Sequence, residues 1–200
     1  MRTGYDRAAE HYLAMRPVDG ADMALLEEIL AELPERSKVL DAGCGAGVPV
    51  TRRLVAAGHR VTGLDLSGSQ LALARRRVAG AGAVQGDLAA LPFASGRFDA
   101  LVSFYAVIHV PRLEHGRVFA EIRRVLAPGG RALLCLGTGD NPDDLDPDGW
   151  FGVPMYWSHY DAATSLDMLR ACGLSVAWGR DVPDPMGHGA HRFVLARRVS

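Results

Sequence analysis

Residues Lys38 to Gly47, which read Lys-Val-Leu-Asp-Ala-Gly-Cys-Gly-Ala-Gly, restrict this chain more than any other stretch. Val39 and Leu40 form a short apolar run that ends in the carboxylate Asp41. Glycines follow at 43, 45 and 47, and then a helical pattern begins. This is a strand, a turn and a helix start. Glycine is required where the backbone takes positive φ, or where a ligand comes into contact with the main chain, because a Cβ would obstruct both. Three alternating glycines sacrifice chain entropy without local benefit. The stretch therefore predicts a ligand lying on bare backbone at a helix N-terminus, rather than a tight connection alone.

The rest of the chain alternates around it. Tyr5 and Tyr12 share one face of an N-terminal helix that Pro17 and Gly20 break. Asp22 is placed to cap a second helix, in which Leu26, Ile29, Leu30 and Leu33 recur at helical spacing before Pro34. Residues 1–36 read as a helical lid. Val48 to Ala57 is helical, Arg60 to Asp65 is a second strand ending in a carboxylate, and Ser67 and Gln70 have capping-box spacing ahead of a third stripe. Ala81 to Asp87 is a short strand. Phe98 to Phe104 is the apolar strand of a sheet centre, and Arg131 to Leu136 follows a helix and the Pro128-Gly129-Gly130 turn. From 137 to 160 regularity fails. Asp, Pro and Gly give way to a crowd of Trp150, Phe151, Met155, Tyr156 and Trp157, read as a substrate loop, with a core plug or a dimer surface as its bland alternative. Asp161 caps a last helix, and Leu174 to Trp178 and Arg192 to Ala196 are two closing strands. The expectation is one α/β domain over 1–200, a three-layer doubly wound sheet with right-handed crossovers.

Composition narrows the partner. A 200-residue chain that is 48% hydrophobic can bury a core without staples. A net charge of −1 leaves no footprint for nucleic acid phosphates or an anionic membrane, so a small neutral or zwitterionic partner is expected. Cys44, Cys135 and Cys172 are widely separated and form no C-x-x-C, which argues against disulfides or a thiolate metal site and fits a reducing, cytoplasmic compartment. No apolar run reaches the roughly 18 residues of a membrane helix, and the first ten residues hold no signal-like apolar region.

Asp41, Asp65 and Asp87 stand at the ends of the first three strands and Tyr105 at the end of the fourth. In open α/β sheets ligands bind outside those ends, where the topology reverses. Asp65 lies 20 positions after Gly45, the spacing at which a carboxylate takes both hydroxyls of a ribose held over the turn. A dinucleotide fingerprint would need glycine or alanine at 48, which is Val.

Val39 to Gly47 instead resembles motif I of the class I S-adenosylmethionine-dependent methyltransferases. The resemblance continues through Gly-Leu-Asp-Leu-Ser at 63–67, Gly-Asp-Leu at 86–88, Leu91-Pro92-Phe93 with Arg97-Phe98-Asp99, and Arg124 to Gly130. It implies a Rossmann-like sheet of seven mostly parallel strands with the last antiparallel, and S-adenosylmethionine as cofactor. It implies that Gly43 and Gly45 carry the methionine portion through backbone contacts, that Asp41 helps hold the amino end, that Asp65 with Leu66 binds the ribose, and that Asp87 with Leu88 reads the adenine. Tyr5, Tyr12 and Arg16 take the place of lid residues, and Ser103 is placed in the same site. S-adenosylmethionine has no phosphates, which agrees with the lack of Lys or Arg between Ala42 and Thr51.

Methyl transfer is an in-line displacement that the protein serves by alignment and exclusion of water. His109, after the fourth strand, and His159, after the aromatic cluster, are the candidate bases, each with an ordinary structural histidine as alternative. Cys44 reads as a small hydrophobe, and His188 and His191 lack the further ligands a metal needs. The chain has Ser103-Phe104-Tyr105-Ala106 where amino-methylating DNA and protein-glutamine relatives carry Asn/Asp-Pro-Pro-Tyr, which favours a small-molecule acceptor. Two rivals stand beside this reading: a non-catalytic S-adenosylmethionine-binding module, and an NAD(P)-dependent oxidoreductase that lacks its required glycine at 48.

Overall fold

In the computed structural model the described residues are 2–146, 152–187 and 189–199, without the side chains of residues 2–5, 7, 8, 12 and 143. Two helices, α1 (Arg2–Met15) and α2 (Ala21–Glu32), precede the units β1 (Lys38–Ala42), α3 (Val50–Ala56), β2 (Arg60–Asp65), α4 (Gly68–Arg77) and β3 (Gly82–Gln85). Then follow β4 (Phe98–Ser103), α5 (His115–Val125), β5 (Leu126–Leu136), β6 (Asn141–Asp146), β7 (Met155–His159), α6 (Ala162–Ala171), β8 (Leu174–Pro183) and β9 (Ala190–Arg198). Seven strands form one sheet in the order β3-β2-β1-β4-β5-β9-β8. β9 runs antiparallel to both its neighbours and the other pairings are parallel, as the resemblance implied.

Strand periodicity builds the two apolar layers. Val39, Ala100 and Val102 pack with Leu26, Ile29 and Leu54 of α2 and α3. Their alternates Leu40, Leu101 and Leu134 pack with Phe119 and Ile122 of α5 and Leu169 of α6. Side chains of successive strand residues point to opposite faces, so a two-sided apolar run can be covered only by helices on both sides.

Three local expectations change. Asp22 does not cap α2. Gly20 takes that position with no side-chain bond, while Asp22 lies inside the helix, buried, with its carboxylate turned to Arg16. The irregular stretch 137–160 contains an antiparallel ribbon, β6 against β7, pairing Asp144 with Trp157 and Asp146 with Met155; Trp150 and Phe151 lie outside the described residues. A ribbon with one partner strand has no need of a continuous apolar pattern, which is why its Asp- and Pro-rich strand reads as loop. The closing strands are longer than expected, because β8 and β9 pair as far as Pro183 with Ala190. The Ser67 cap does form, its hydroxyl accepting from the Gln70 amide. Among the described residues no helix is long and apolar enough to cross a membrane.

Candidate functional site

The chain steps outward from β1 to β3 and then returns to β4 on the other side of β1, so the reversal lies between the carboxyl ends of β1 and β4. Gly43 follows the first and Ala106 the second. An added Cβ at Gly43 would stand 2.2 Å from the Ala106 Cβ, and Gly43 has φ +86°. Residue 43 is therefore glycine for two reasons, backbone conformation and the approach of two strand ends.

The crevice opening there is lined by Gly43, Gly45, Asp65, Leu66, Asp87 and Leu88, so six of the expected cofactor residues stand together. The turn presents less bare donor surface than the sequence suggests. The Gly43 amide donates to the Leu64 carbonyl at 2.7 Å and the Gly45 amide to the Asp65 carboxylate at 2.8 Å. What the glycines provide is room. Asp65 also accepts from the Ser67 amide at 2.8 Å; burial raises its pKa against the pull of those amides. Asp87 accepts from the Ala89 amide at 2.8 Å. Gln70, 1% exposed, lines the same crevice, and its side-chain oxygen is buried without a hydrogen-bond partner. An orphaned acceptor beside a cradle that a Cβ would fill fits a ligand rich in hydroxyl and amino donors, as a nucleoside is.

Asp41 and Arg16 flank the opposite side of the turn, in a hollow with Leu13, Cys44 and Tyr105. Arg16 is buried there, but its guanidinium is already paired with Asp22 at 2.6 Å and stacked 4.7 Å from the Tyr105 ring centroid. Tyr105, at φ +54°, donates its hydroxyl to the same Asp22 carboxylate. Asp41 accepts from the Thr51 hydroxyl at 2.5 Å, and burial, reinforced by the charge of Asp65, pushes its carboxyl up to about 7. The unfolded chain, with the ordinary value of 3.8, binds fewer protons than the folded one between these two pH values. Stability from this group is thus present at low pH and is lost as pH rises through about 7. The melting temperature is expected to fall between pH 5 and 8 by roughly 2–4 °C per kcal/mol lost, and less in Asp41→Asn. Identical pH slopes in the two proteins would refute this. The Cys44 thiol is pushed well up by burial, as an inert small side chain would be.

A second space, of about 600 Å³, lies beyond the crevice and shares Tyr105 and His109 with it. The β6–β7 ribbon forms one wall and carries Trp157 and His159, while the β8–β9 turn brings Asp184 and the start of β9 brings His191. His109 places Nδ1 2.7 Å from the Tyr156 carbonyl, so that nitrogen donates and Nε2 keeps the lone pair. Burial lowers its pKa to about 4, so the ring is neutral around pH 7. His159 Nδ1 stands 2.8 Å from the Gly139 carbonyl and likewise donates.

Some expected residues do not join. Ser103 is buried and spends its hydroxyl on the Ala42 carbonyl at 2.8 Å, tying β4 to β1. The side chains of Tyr5 and Tyr12, and all of His188, lie outside the described residues. His191 faces Asp184 across 2.9 Å and sets its ring edge-on to Tyr105. Sequence reasoning missed the Arg16–Asp22–Tyr105 group, Gln70 as a crevice residue and the Asp184–His191 pair. Only Gln70 had a signal, its place in the capping box after Asp65.

Residues 39–130 match the family described as Methyltransferase domain. A malonyl-acyl-carrier-protein O-methyltransferase of Enterobacter lignolyticus is 39% identical over 143 residues, covering 70% of this chain and 55% of the relative. A sterol 24-C-methyltransferase of Gibberella zeae is 41% identical over 99 residues, covering 46% and 26%. The chain thus spans about half the length of the first of these relatives and a quarter of the second. Among solved structures, 1,6-didemethyltoxoflavin-N1-methyltransferase of Burkholderia thailandensis, with 1,6-didemethyltoxoflavin and S-adenosylhomocysteine bound, superposes with a TM-score of 0.76 at 24% identity, covering 100% of this chain and 87% of that one. The 4+2 cyclase SpnF does so with 0.76 at 21% identity, covering 99% and 94%. A shared fold does not decide the reaction; the site must.

Proposed function

Since the chain belongs to the class I S-adenosylmethionine-dependent methyltransferases, with S-adenosylmethionine as its cofactor, we propose that it methylates a small molecule held in the space under the β6–β7 ribbon. The observation that carries this reading is the shared wall. Tyr105 and His109 belong both to the crevice of Asp65 and to the larger space beyond, so a group anchored in one faces a group anchored in the other.

The cofactor supplies an activated methyl on a sulfonium. Asp65 and Asp87 bind its nucleoside end and Gly43 and Gly45 make room along the turn. Asp41 receives its ammonium, for which the carboxylate form is the productive one. Helix α1 closes the crevice, fastened by Asp6, which accepts from the Ser67 hydroxyl and the Ser69 amide at the start of α4. His109, neutral and weakly basic, orients the acceptor. His159, whose Nδ1 is engaged by the Gly139 carbonyl, keeps Nε2 to accept a proton and lines the same space, so it is taken as the base.

Thermal shift provides the first test. S-adenosylhomocysteine and S-adenosylmethionine are expected to raise the melting temperature and NAD to leave it unchanged; stabilisation by NAD alone would sink the proposal. Formation of S-adenosylhomocysteine against pools of small acceptors then separates an enzyme from a binding module.

A further inference from the structure

The walls of the acceptor space carry a charge pattern that cofactor binding does not use. Side chains two apart on a strand share a face, so Asp144 and Asp146 of β6 point the same way. Both line the space, with Trp157, the cross-strand partner of Asp144, while Leu145 between them is 64% exposed. Asp184 reaches the space from the β8–β9 turn with His191 at its carboxylate. Arg16 is the one cationic side chain among the described lining residues, and it is committed to Asp22. The sole lysine of the chain, Lys38, opens β1 and is not in the lining.

We propose, on the methyltransferase reading given above, that the acceptor is a small amine recognised as its ammonium form, and that Asp144 and Asp146 are the residues that select it. Among the described lining residues a carboxylate acceptor would enter beside Asp144 and Asp146, with Asp184 held by His191 and the Arg16 guanidinium paired with Asp22. An ammonium meets opposite charge and the Trp157 ring, which also attracts cations. The ammonium passes one proton to His159 Nε2. The nitrogen lone pair then forms the N–C bond as the C–S bond breaks, and the electron pair of that bond stays on sulfur. Positive charge thereby moves from sulfur to nitrogen, into the acidic space, where the carboxylates stabilise it as it develops.

The test uses two acid–amine pairs of matched shape, phenethylamine with 3-phenylpropanoate and tryptamine with indole-3-propanoate, titrated calorimetrically into the protein saturated with S-adenosylhomocysteine. The amines are expected to bind at least about tenfold more tightly than the acids. The double variant Asp144→Asn/Asp146→Asn is expected to lose about tenfold of that preference, and Asp144→Lys/Asp146→Lys to invert it, each with unchanged S-adenosylhomocysteine affinity. Equal or tighter binding of the acids, no binding of either amine, or an undiminished preference in the Asn variant would overturn the inference. Amine preference without S-adenosylhomocysteine formation from S-adenosylmethionine would uphold charge selection and remove methyl transfer instead. If the protein does not bind S-adenosylhomocysteine at all, the cofactor reading fails separately and the same titration decides charge selection on the free protein.

Discussion

Asp65→Ala is expected to weaken S-adenosylhomocysteine binding by about 100-fold, a loss of roughly 2.7 kcal/mol. The carboxylate accepts from the Gly45 and Ser67 amides and faces the crevice with its remaining lone pairs. Its removal deletes the proposed ribose anchor, worth about 1.5–3 kcal/mol for each charge-assisted bond, and frees the glycine turn that it pins to the end of β2. The amides left behind make the variant less stable as well. Calorimetry measures the first effect and thermal unfolding the second, and Asp65→Asn should rescue stability more than affinity because an amide side chain still offers one oxygen. An affinity within about threefold of the parent would mean that the nucleoside is held elsewhere.

Gly43→Ala is expected to destabilise the protein by about 2–5 kcal/mol, or to prevent folding altogether. A left-handed backbone costs an L-residue roughly 1–2 kcal/mol, and forcing a methyl group into packed structure typically adds about 1–3 kcal/mol. Gly58 provides the comparison. Its φ is +85°, yet an added Cβ there has nothing within 4 Å. Gly58→Ala therefore carries only the backbone penalty, and the difference in melting temperature between the two variants measures how tightly β1 and β4 approach at the reversal. Equal destabilisation would show that Ala106 yields at no cost.

Local pattern carried much of this structure into the sequence. The strand–turn–helix at 38–50, the capping serine at 67 and the acid at 65 each depend on neighbours within a few residues or on a fixed βαβ spacing, and each stands where expected. The missed features are those made by distant partners. Asp22 lies six residues from Arg16 and 83 from Tyr105, and a buried aspartate in a helix looks on paper like a capping one. The donors of the turn were equally invisible, because Leu64 claims the Gly43 amide only once β2 is laid beside β1. Ser103 shows the reverse error: it stands at the right strand end, but its hydroxyl turns sideways to Ala42.

Among the described residues the β6–β7 ribbon is fastened to the rest of the fold through a main-chain carbonyl, a serine and the Trp157 ring, whose centroid lies 5.8 Å from that of His109. The Tyr156 carbonyl receives His109, and the Ser158 hydroxyl joins the Arg112 amide to the Pro142 carbonyl. Of these groups the His109 and Trp157 rings also wall the acceptor space, and His109 belongs to the segment after β4 rather than to the ribbon. Asp144 takes part in none of these fastenings, so on the proposed reading the ribbon is a cassette in which the acceptor-facing charge can be exchanged apart from the glycine turn after β1.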